Sequence, residues 1–416
     1  MDYGQPLKRA IGFLAIAAFA QDSSEMLERA RDKMLSEVPS APRYSCVETI
    51  DRKYFSREIP AIPLPSCERL SADRKTGRAS TKLRLDATDR LRVEVAVTQG
   101  REIYSWTRPG SFSHSVEEIL QFGPIGTGAF AVHLIDIFSN PSVRFRVLPE
   151  DDKILEYGFR VPIEASRLFV RAGGEWRPTG YNGSFTIDPN SLEMRRFKMD
   201  SDELPSDTSL CEVSTESEYQ GEKTLGLLLP SISRSHDILR DSSETEQVTT
   251  FSDCHEAAVS SAEREPAADL ALPEQTFELA LSTPIDTASA AAGDIISAQL
   301  TEPIWQPKSL KVLVPGGSTI TGRIVHMEHR FYPENYFVVS MAFDRLQVDG
   351  MLFKIRVKSD GKTRGHTRYE PNSAGANPEW PMGTFTFPAK TSQYVIPAGF
   401  LSKWRNDCVR ISQIVR

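Results

Sequence analysis

Apolar and polar positions alternate through most of this chain, and the clearest case lies between Tyr181 and Asp200. Phe185 and Ile187 alternate with Ser184 and Thr186, Asp188-Pro189-Asn190-Ser191 supplies turn residues, and Leu192 and Met194 resume the alternation on the return. A period of two sends one set of side chains to a core face, so this stretch predicts a β-hairpin. The same pattern predicts strands at Tyr44 to Phe55, Leu83 to Leu85, Leu91 to Val97, Glu102 to Trp106, Val143 to Leu148, Leu155 to Val161, Arg167 to Arg171, Leu210 to Tyr219 and Val248 to Cys254. Helical spacing occurs twice. Met26, Ala30, Met34 and Val38 share one face of a helix over 22–38, which Pro39 stops. An insertion over 107–140 holds two short helical runs, Val116 to Phe122 and Phe130 to Phe138, separated by Gly123-Pro-Ile-Gly-Thr-Gly128.

Alternation lapses between Glu256 and Leu272, where Ala, Glu, Ser and Pro carry no apolar period, and a linker is predicted at 256–271. Beyond it, 272–416 predicts a second β module with strands at Phe277 to Leu281, Ile295 to Leu300, Val312 to Pro315, Thr319 to Glu328, Tyr336 to Phe343 and Met351 to Val357. Val314-Pro-Gly-Gly317 and Ile396-Pro-Ala-Gly399 share a pattern in which a strand ends in a turn, a short and weak signal of an internal repeat. The expected fold is mainly β (α+β): an antiparallel half-barrel over 21–255 wrapped over helices, then a small β-barrel or sandwich.

Composition adds a compartment. Lys8-Arg9, the apolar run Ile11 to Ala20 and Ala18-Phe19-Ala20 form a basic, apolar and small-residue series that predicts a signal peptide over 1–20, cleaved before Gln21. No later stretch is apolar enough to span a bilayer, so no transmembrane segment is expected after signal removal. A periplasmic or secreted location suits the five cysteines, none in a Cys-x-x-Cys pair, and favours two bridges and one free thiol. Cys46 with Cys67 and Cys211 with Cys254 are the expected pairs, leaving Cys408 free. The formal charge of −7 gives no footprint for nucleic acid.

Two stretches of the chain carry resemblances to known families. Tyr181 to Phe197, Cys211-Glu-Val-Ser-Thr-Glu-Ser-Glu-Tyr219 and Leu225-Gly-Leu-Leu-Leu-Pro230 resemble the LolA/LolB-like periplasmic lipoprotein carriers. That likeness implies an incomplete antiparallel barrel over helices with an apolar cavity for acyl chains. Leu272-Pro-Glu-Gln-Thr276, Gly293-Asp294 to Pro303 and Val314 to Arg323 resemble the TrbI-type barrel of conjugation and secretion channels, which implies an envelope scaffold. The anchor and long Pro-rich stalk of that family are missing from the chain.

Signatures of chemistry are weak by comparison. Gly361-Lys362-Thr363 lacks the upstream glycine of a phosphate loop, and Gly123, Gly126 and Gly128 lack the strand and acidic partner of a dinucleotide site. Ser318 is not in a Gly-x-Ser-x-Gly elbow. His326-Met-Glu-His329 places its histidines on opposite faces of a strand and reads as a surface pair, while Cys254-His255 reads as a bridged sulfur beside an exposed His. Asp151-Asp152 and Glu117-Glu118 carry no spacing that separates acid–base work from solvation. No enzyme activity, cofactor or metal is expected. The remaining candidate is an apolar groove lined by Phe130, Leu134, Ile137 and Phe138 of the insertion, with core packing by the same residues as the competing reading. The expected function is an exported, non-enzymatic envelope protein that binds lipid or the acyl chains of a lipidated protein. The alternative is a structural or interaction module docking onto envelope proteins or a secretion assembly, with no small-molecule ligand.

Overall fold

The structure, a computed structural model, describes residues 24–406 apart from 39, 59–62, 77–82, 99–100, 108–118, 120–124, 131, 149–154, 223–224, 258–267, 310 and 360–382. The proposed signal peptide, Glu117-Glu118, Asp151-Asp152, Gly361 to Thr363 and Cys408 therefore lie outside the described residues. The fold is mainly β and centres on a 19-stranded sheet.

Its first part is antiparallel throughout. Ten strands follow one another in the order β4 (Arg144–Leu148), β5 (Leu155–Val161), β8 (Gly180–Ile187), β9 (Met194–Asp202), β10 (Leu210–Glu222), β11 (Leu227–Leu239), β12 (Glu244–Glu256), β1 (Tyr44–Arg57), β2 (Leu83–Thr98) and β3 (Arg101–Trp106). A small hairpin of β6 (Phe169–Ala172) and β7 (Glu175–Pro178) stands apart. The hairpin read from alternation is β8–β9, with Phe185, Ile187, Met194, Phe197 and Met199 all buried. In its turn, Asp188 Oδ1 accepts the N–H groups of Asn190 (2.9 Å) and Ser191 (3.1 Å). These two donors, Ser191 first, hold the Asp188 carboxyl below the usual range.

Two helices fill the inner face of this sheet: α1, over 24–38, and α3 (Val132–Ser139). Ala30 and Met34 of α1 and Leu134, Ile137 and Phe138 of α3 join Tyr157, Phe159, Tyr181 and Phe185 in one apolar cluster. The second run expected in the insertion is thus α3; of the first, only Ile119 is described, and it is buried. A third helix, α2 (Cys67–Lys75), lies on the opposite face, where Arg74 meets Glu244 at 2.6 Å and Lys75 meets Glu212 at 3.8 Å.

Strand β11 carries no apolar alternation, and the sequence offers no sign of it beyond Leu229. Its inner positions are Ser233 and Ser235, which bond across the sheet to Ser217 (2.9 Å) and Thr215 (3.1 Å) of β10. Hydroxyl pairs satisfy one another there, so burial leaves no hydrophobic mark. Pro230 sits beside a register shift in the same pairing, where a missing N–H is tolerated.

All four expected cysteines are bridged, but the pairing differs from the expectation. Cys46 joins Cys254 across 208 residues and Cys67 joins Cys211 across 144. The reason is topological. The first strand lies between the last strand of the module and β2, so Ser45 pairs with His255 and brings Cys46 to Cys254. Helix α2 then sets Cys67, its first residue, on β10 beside Cys211.

The second part of the sheet includes β13 (Ala268–Asp269), β14 (Thr276–Leu281), β16 (Ile295–Leu300), β19 (Thr319–Arg330), β20 (Tyr336–Val348), β21 (Met351–Lys354), β22 (Val357–Ser359), β23 (Gly383–Pro388) and β25 (Leu401–Asn406). These strands enclose a single apolar cluster that includes Leu279, Ile320, Val339, Met341, Phe343 and Trp404. Glu256 closes β12 and Ala268–Asp269 form β13, so two strands enter the expected linker, while 257, 270 and 271 belong to none and 258–267 lie outside the described residues.

The short repeated pattern proves to be part of a longer one. Leu281-Ser-Thr-Pro284-Ile285 and Leu300-Thr-Glu-Pro303-Ile304 each lead into a two-residue strand, β15 (Ile285–Asp286) or β17 (Ile304–Trp305). Ile285 pairs with Ile396 of β24 (Val395–Ile396), and Ile304 pairs with Val314 of β18 (Val312–Val314). Both turns that follow place a glycine at φ 81°, Gly399 and Gly317. Both glycines donate at 2.7 Å, to Leu281 O and Leu300 O respectively. Leucine, proline and isoleucine thus recur at matching places in two copies of one unit, and a positive φ accounts for glycine in each.

The two parts are joined by a seam. Glu328, His329 and Arg330 of β19 pair with Asp89, Thr88 and Ala87 of β2. Next to it, Gly293 has φ 104°, and a Cβ there would stand 2.0 Å from the Arg92 carbonyl oxygen, so no other residue permits this approach. Arg52 is buried and clasps Asp89 with Nε at 2.7 Å and Nη2 at 2.8 Å, while the Tyr54 hydroxyl donates to Asp89 at 3.0 Å. Across the seam, Glu328 accepts from Arg330 Nε at 2.8 Å and faces His326 Nε2 at 3.0 Å. Burial alone raises the Glu328 pKa, but His326 and Arg330 more than offset it and bring it to about 2.

His326 is therefore buried in a charge network, which corrects the expectation of a surface pair. His329, on the other side of the strand, lies between Phe331 (4.0 Å, tilted) and Phe337 (4.1 Å, stacked).

Candidate binding cavity

At one end of the ten-stranded part, the helices do not fill the space beneath the sheet. A cavity of about 310 Å³ remains there, with an apolar wall of Met34, Val38, Tyr44, Val97, Phe130 and Leu134 and a rim of leucines. Each wall is placed by identifiable contacts. Lys33 of α1 donates to Ser191 O at 2.8 Å, which pins the helix over the β8–β9 turn and brings Leu192 to the rim. Leu225, before β11, and Leu227 and Leu228, at its start, line the cavity too, all half-buried. The charged lining residues are Lys33, Glu37 and Glu193. Lys33 is already engaged with Ser191 and lies 3.9 Å from Glu37, and Glu193 lies 3.3 Å from Arg195.

The wall formed by Phe130 is held from beneath. Glu102 of β3 accepts the Gly128 N–H at 2.7 Å and the Phe130 N–H at 3.0 Å, and the Tyr104 hydroxyl donates to it at 2.8 Å. The Tyr219 hydroxyl donates to Ala129 O at 2.8 Å. His133 Nε2 lies 3.0 Å from Thr127 O; a carbonyl only accepts, so Nε2 carries the proton. Burial pushes the His133 pKa down to about 4, leaving a neutral ring that stacks on Phe197. This short loop is over-determined, and Phe130 is a fixed wall in consequence.

Behind Phe130 the interior is acidic. Glu48 is buried on β1 and neither of its oxygens finds a hydrogen-bond partner among the described residues; the Tyr104 hydroxyl, close by, donates instead to Glu102. Burial first, then the Glu102 charge, hold the Glu48 carboxyl well above its usual range. On α3, Asp136 meets Arg167 at 3.1 Å, yet burial pushes its pKa up to about 6 against that partner.

Of the four residues expected to line a groove, the structure places two at the cavity. Phe130 and Leu134 line it. Ile137 and Phe138 do not: both are wholly buried, and Phe138 packs edge-on against Phe185 at 5.4 Å in the filled part of the core. Met34, Tyr44, Val97, Leu192 and the leucines of 225–228 were missed as lining. The signals for two of these were in the sequence, in the apolar face of α1 and in the run Leu225 to Pro230, but nothing local says that they converge.

His255 is exposed beside the bridged Cys254, with Ser45 Oγ at 3.3 Å and the Asp253 carbonyl at 2.7 Å. Among the described residues, no three His, Cys, Asp or Glu side chains are grouped to hold a metal ion, and no helix is long and apolar enough to cross a membrane. The chain matches no protein-family model, no curated protein and no solved structure.

Proposed function

We propose that this chain is an exported, non-enzymatic protein of the cell envelope whose ten-stranded part holds one apolar chain of a lipid or lipidated partner. The observation that carries the reading is the cavity: an apolar wall and a leucine rim at the end of a sheet whose interior is otherwise filled. Its volume of about 310 Å³ lies at the small end of ligand pockets, which suits a single chain and not a bundle of acyl groups. About ten buried methylenes contribute about 8 kcal/mol before association costs, so the expected affinity is micromolar or weaker. Two disulfides fit an oxidising compartment, which agrees with the signal-like N-terminus and with a periplasmic or secreted location.

The carrier resemblance points the same way, and the ten-strand antiparallel order over α1 and α3 supports it without identifying a family. Displacement of a fluorescent apolar dye from the full chain by single-chain amphiphiles tests the reading. Binding by wild type and loss of binding in Val38→Trp, whose side chain occupies the cavity, is the expected result. A second reading, an interaction module in an envelope assembly, is favoured by the seam: a binding unit alone has no need of a second module joined through β2 and β19.

A further inference from the structure

Tyr44 is the one hydroxyl-bearing aromatic in the cavity lining, and it is nearly fully buried. No hydrogen bond joins its hydroxyl to a described residue, and that oxygen is not among the fully buried atoms left without a partner, as the Tyr181 hydroxyl is. Its position explains what surrounds it. Tyr44 pairs with Val97, and Val97 pairs with Glu102, so the three stand in one cross-strand row on the inner face. The Tyr44 ring also meets the Phe130 ring at 6.0 Å, and the Phe130 N–H is held by Glu102. Glu102 thus lies just behind the wall that Tyr44 and Phe130 present. Burial, then the Glu102 charge, make Tyr44 a weaker acid than usual. An incoming anion meets the same field.

Among the charged residues at the cavity mouth, the acids outnumber the cation. Lys33, its one lining cation, already serves the Ser191 carbonyl and Glu37, and Glu37 and Glu193 are acidic. A head group that donates a hydrogen bond and carries no negative charge has the opposite fortune: the Tyr44 oxygen accepts from it, and the Glu102 charge favours it.

Resting on the cavity reading above, we propose that the site selects single-chain amphiphiles whose polar end is a hydroxyl or a protonated amine, and discriminates against free carboxylates of the same chain length. Tyr44 is the residue that recognises the head.

Three probes with one tail, dodecanol, dodecylamine and dodecanoate, are compared by dye displacement from the purified full chain at neutral pH, below micelle formation. The alcohol and the amine are expected to displace dye at concentrations about tenfold lower than dodecanoate. In Tyr44→Phe, dye and dodecanoate affinities are expected to stay while the alcohol binds more weakly than it does to wild type, so that its advantage over dodecanoate narrows. Dodecanoate binding as tightly as the alcohol to wild type overturns the proposal, as does an alcohol affinity unchanged by Tyr44→Phe in protein that still binds the dye. If the dye binds but none of the three probes displaces it, or the dye itself does not bind, the cavity reading fails and takes this proposal with it.

Discussion

The second module wraps its strands around their own side chains, with Leu279, Val339, Met341 and Trp404 fully buried in one contiguous cluster. The ten-stranded part does otherwise. Its interior divides into two clusters, one around Phe185 and Phe197 and one around Ile50 and Val93, with polar side chains of Ser217, Ser233, Gln247 and Glu48 also buried. A short, strongly curled sheet can close on its own residues, whereas a wide open sheet needs α1 and α3 to fill it, and two short helices leave space at one end. Covalent bonding follows the same division. Both disulfides tie the wide sheet, and the compact module has none among its described residues.

The largest test of that contrast removes a bridge. Replacing Cys46 and Cys254 together by alanine releases a closure of 208 residues, for which the chain-entropy account gives about 5 kcal/mol. Urea denaturation should show that loss, and a change below about 1 kcal/mol means that β1 and β12 are held by the sheet alone.

Next come matched truncations. Leu279→Ala, in the compact core, is expected to cost about 4 kcal/mol, and Leu227→Ala, at the cavity rim, about 1 kcal/mol, because a half-buried side chain beside an existing void has fewer contacts to lose. Equal costs refute the contrast in packing.

Acid probes the seam. The Glu328 carboxyl has a folded pKa of about 2 against an ordinary 4.5, so its contribution is present above about pH 4.5 and is lost as pH falls toward 2. The difference corresponds to about 3 kcal/mol. Stability measured between pH 5 and 2 should fall more steeply in wild type than in Glu328→Gln, and parallel curves contradict the charge network. A smaller effect opposes it in the first module. Asp136, with its folded pKa raised to about 6, contributes stability that is present at low pH and fades as pH rises through 6. Asp136→Asn should flatten the curve between pH 4 and 6 by about 1 kcal/mol, discounted because Arg167 is largely exposed.

What could be read from sequence divides along local and non-local lines. The β8–β9 hairpin, the apolar face of α1, helix α3 and the set of four bridged cysteines all rest on spacing within a few residues or on a simple count. The disulfide pairing depends on β1 lying beside β12, some two hundred positions later, which no local pattern encodes. Strand β11 was hidden because serine hydroxyls satisfy one another at inner positions that carry no apolar residue. His326 was misplaced for a related reason: its burial depends on Glu328 and on the approach of β2. The site was half legible. Phe130 and Leu134 line the cavity, whereas Ile137 and Phe138, on the same helix as Leu134, are buried away from it, Phe138 against Phe185. Helix amphipathicity identifies the face that is buried but not which part of it meets a void.

The most direct measurement is dye binding to the full chain, with and without the cavity filled. A fluorescent apolar dye should bind wild type with micromolar affinity and be displaced by dodecanol. Val38→Trp, folded and as stable as wild type by urea denaturation, should bind neither. Equal dye binding by wild type and a folded Val38→Trp, or no binding by wild type at all, contradicts a ligand site at the helix-bounded end of the sheet.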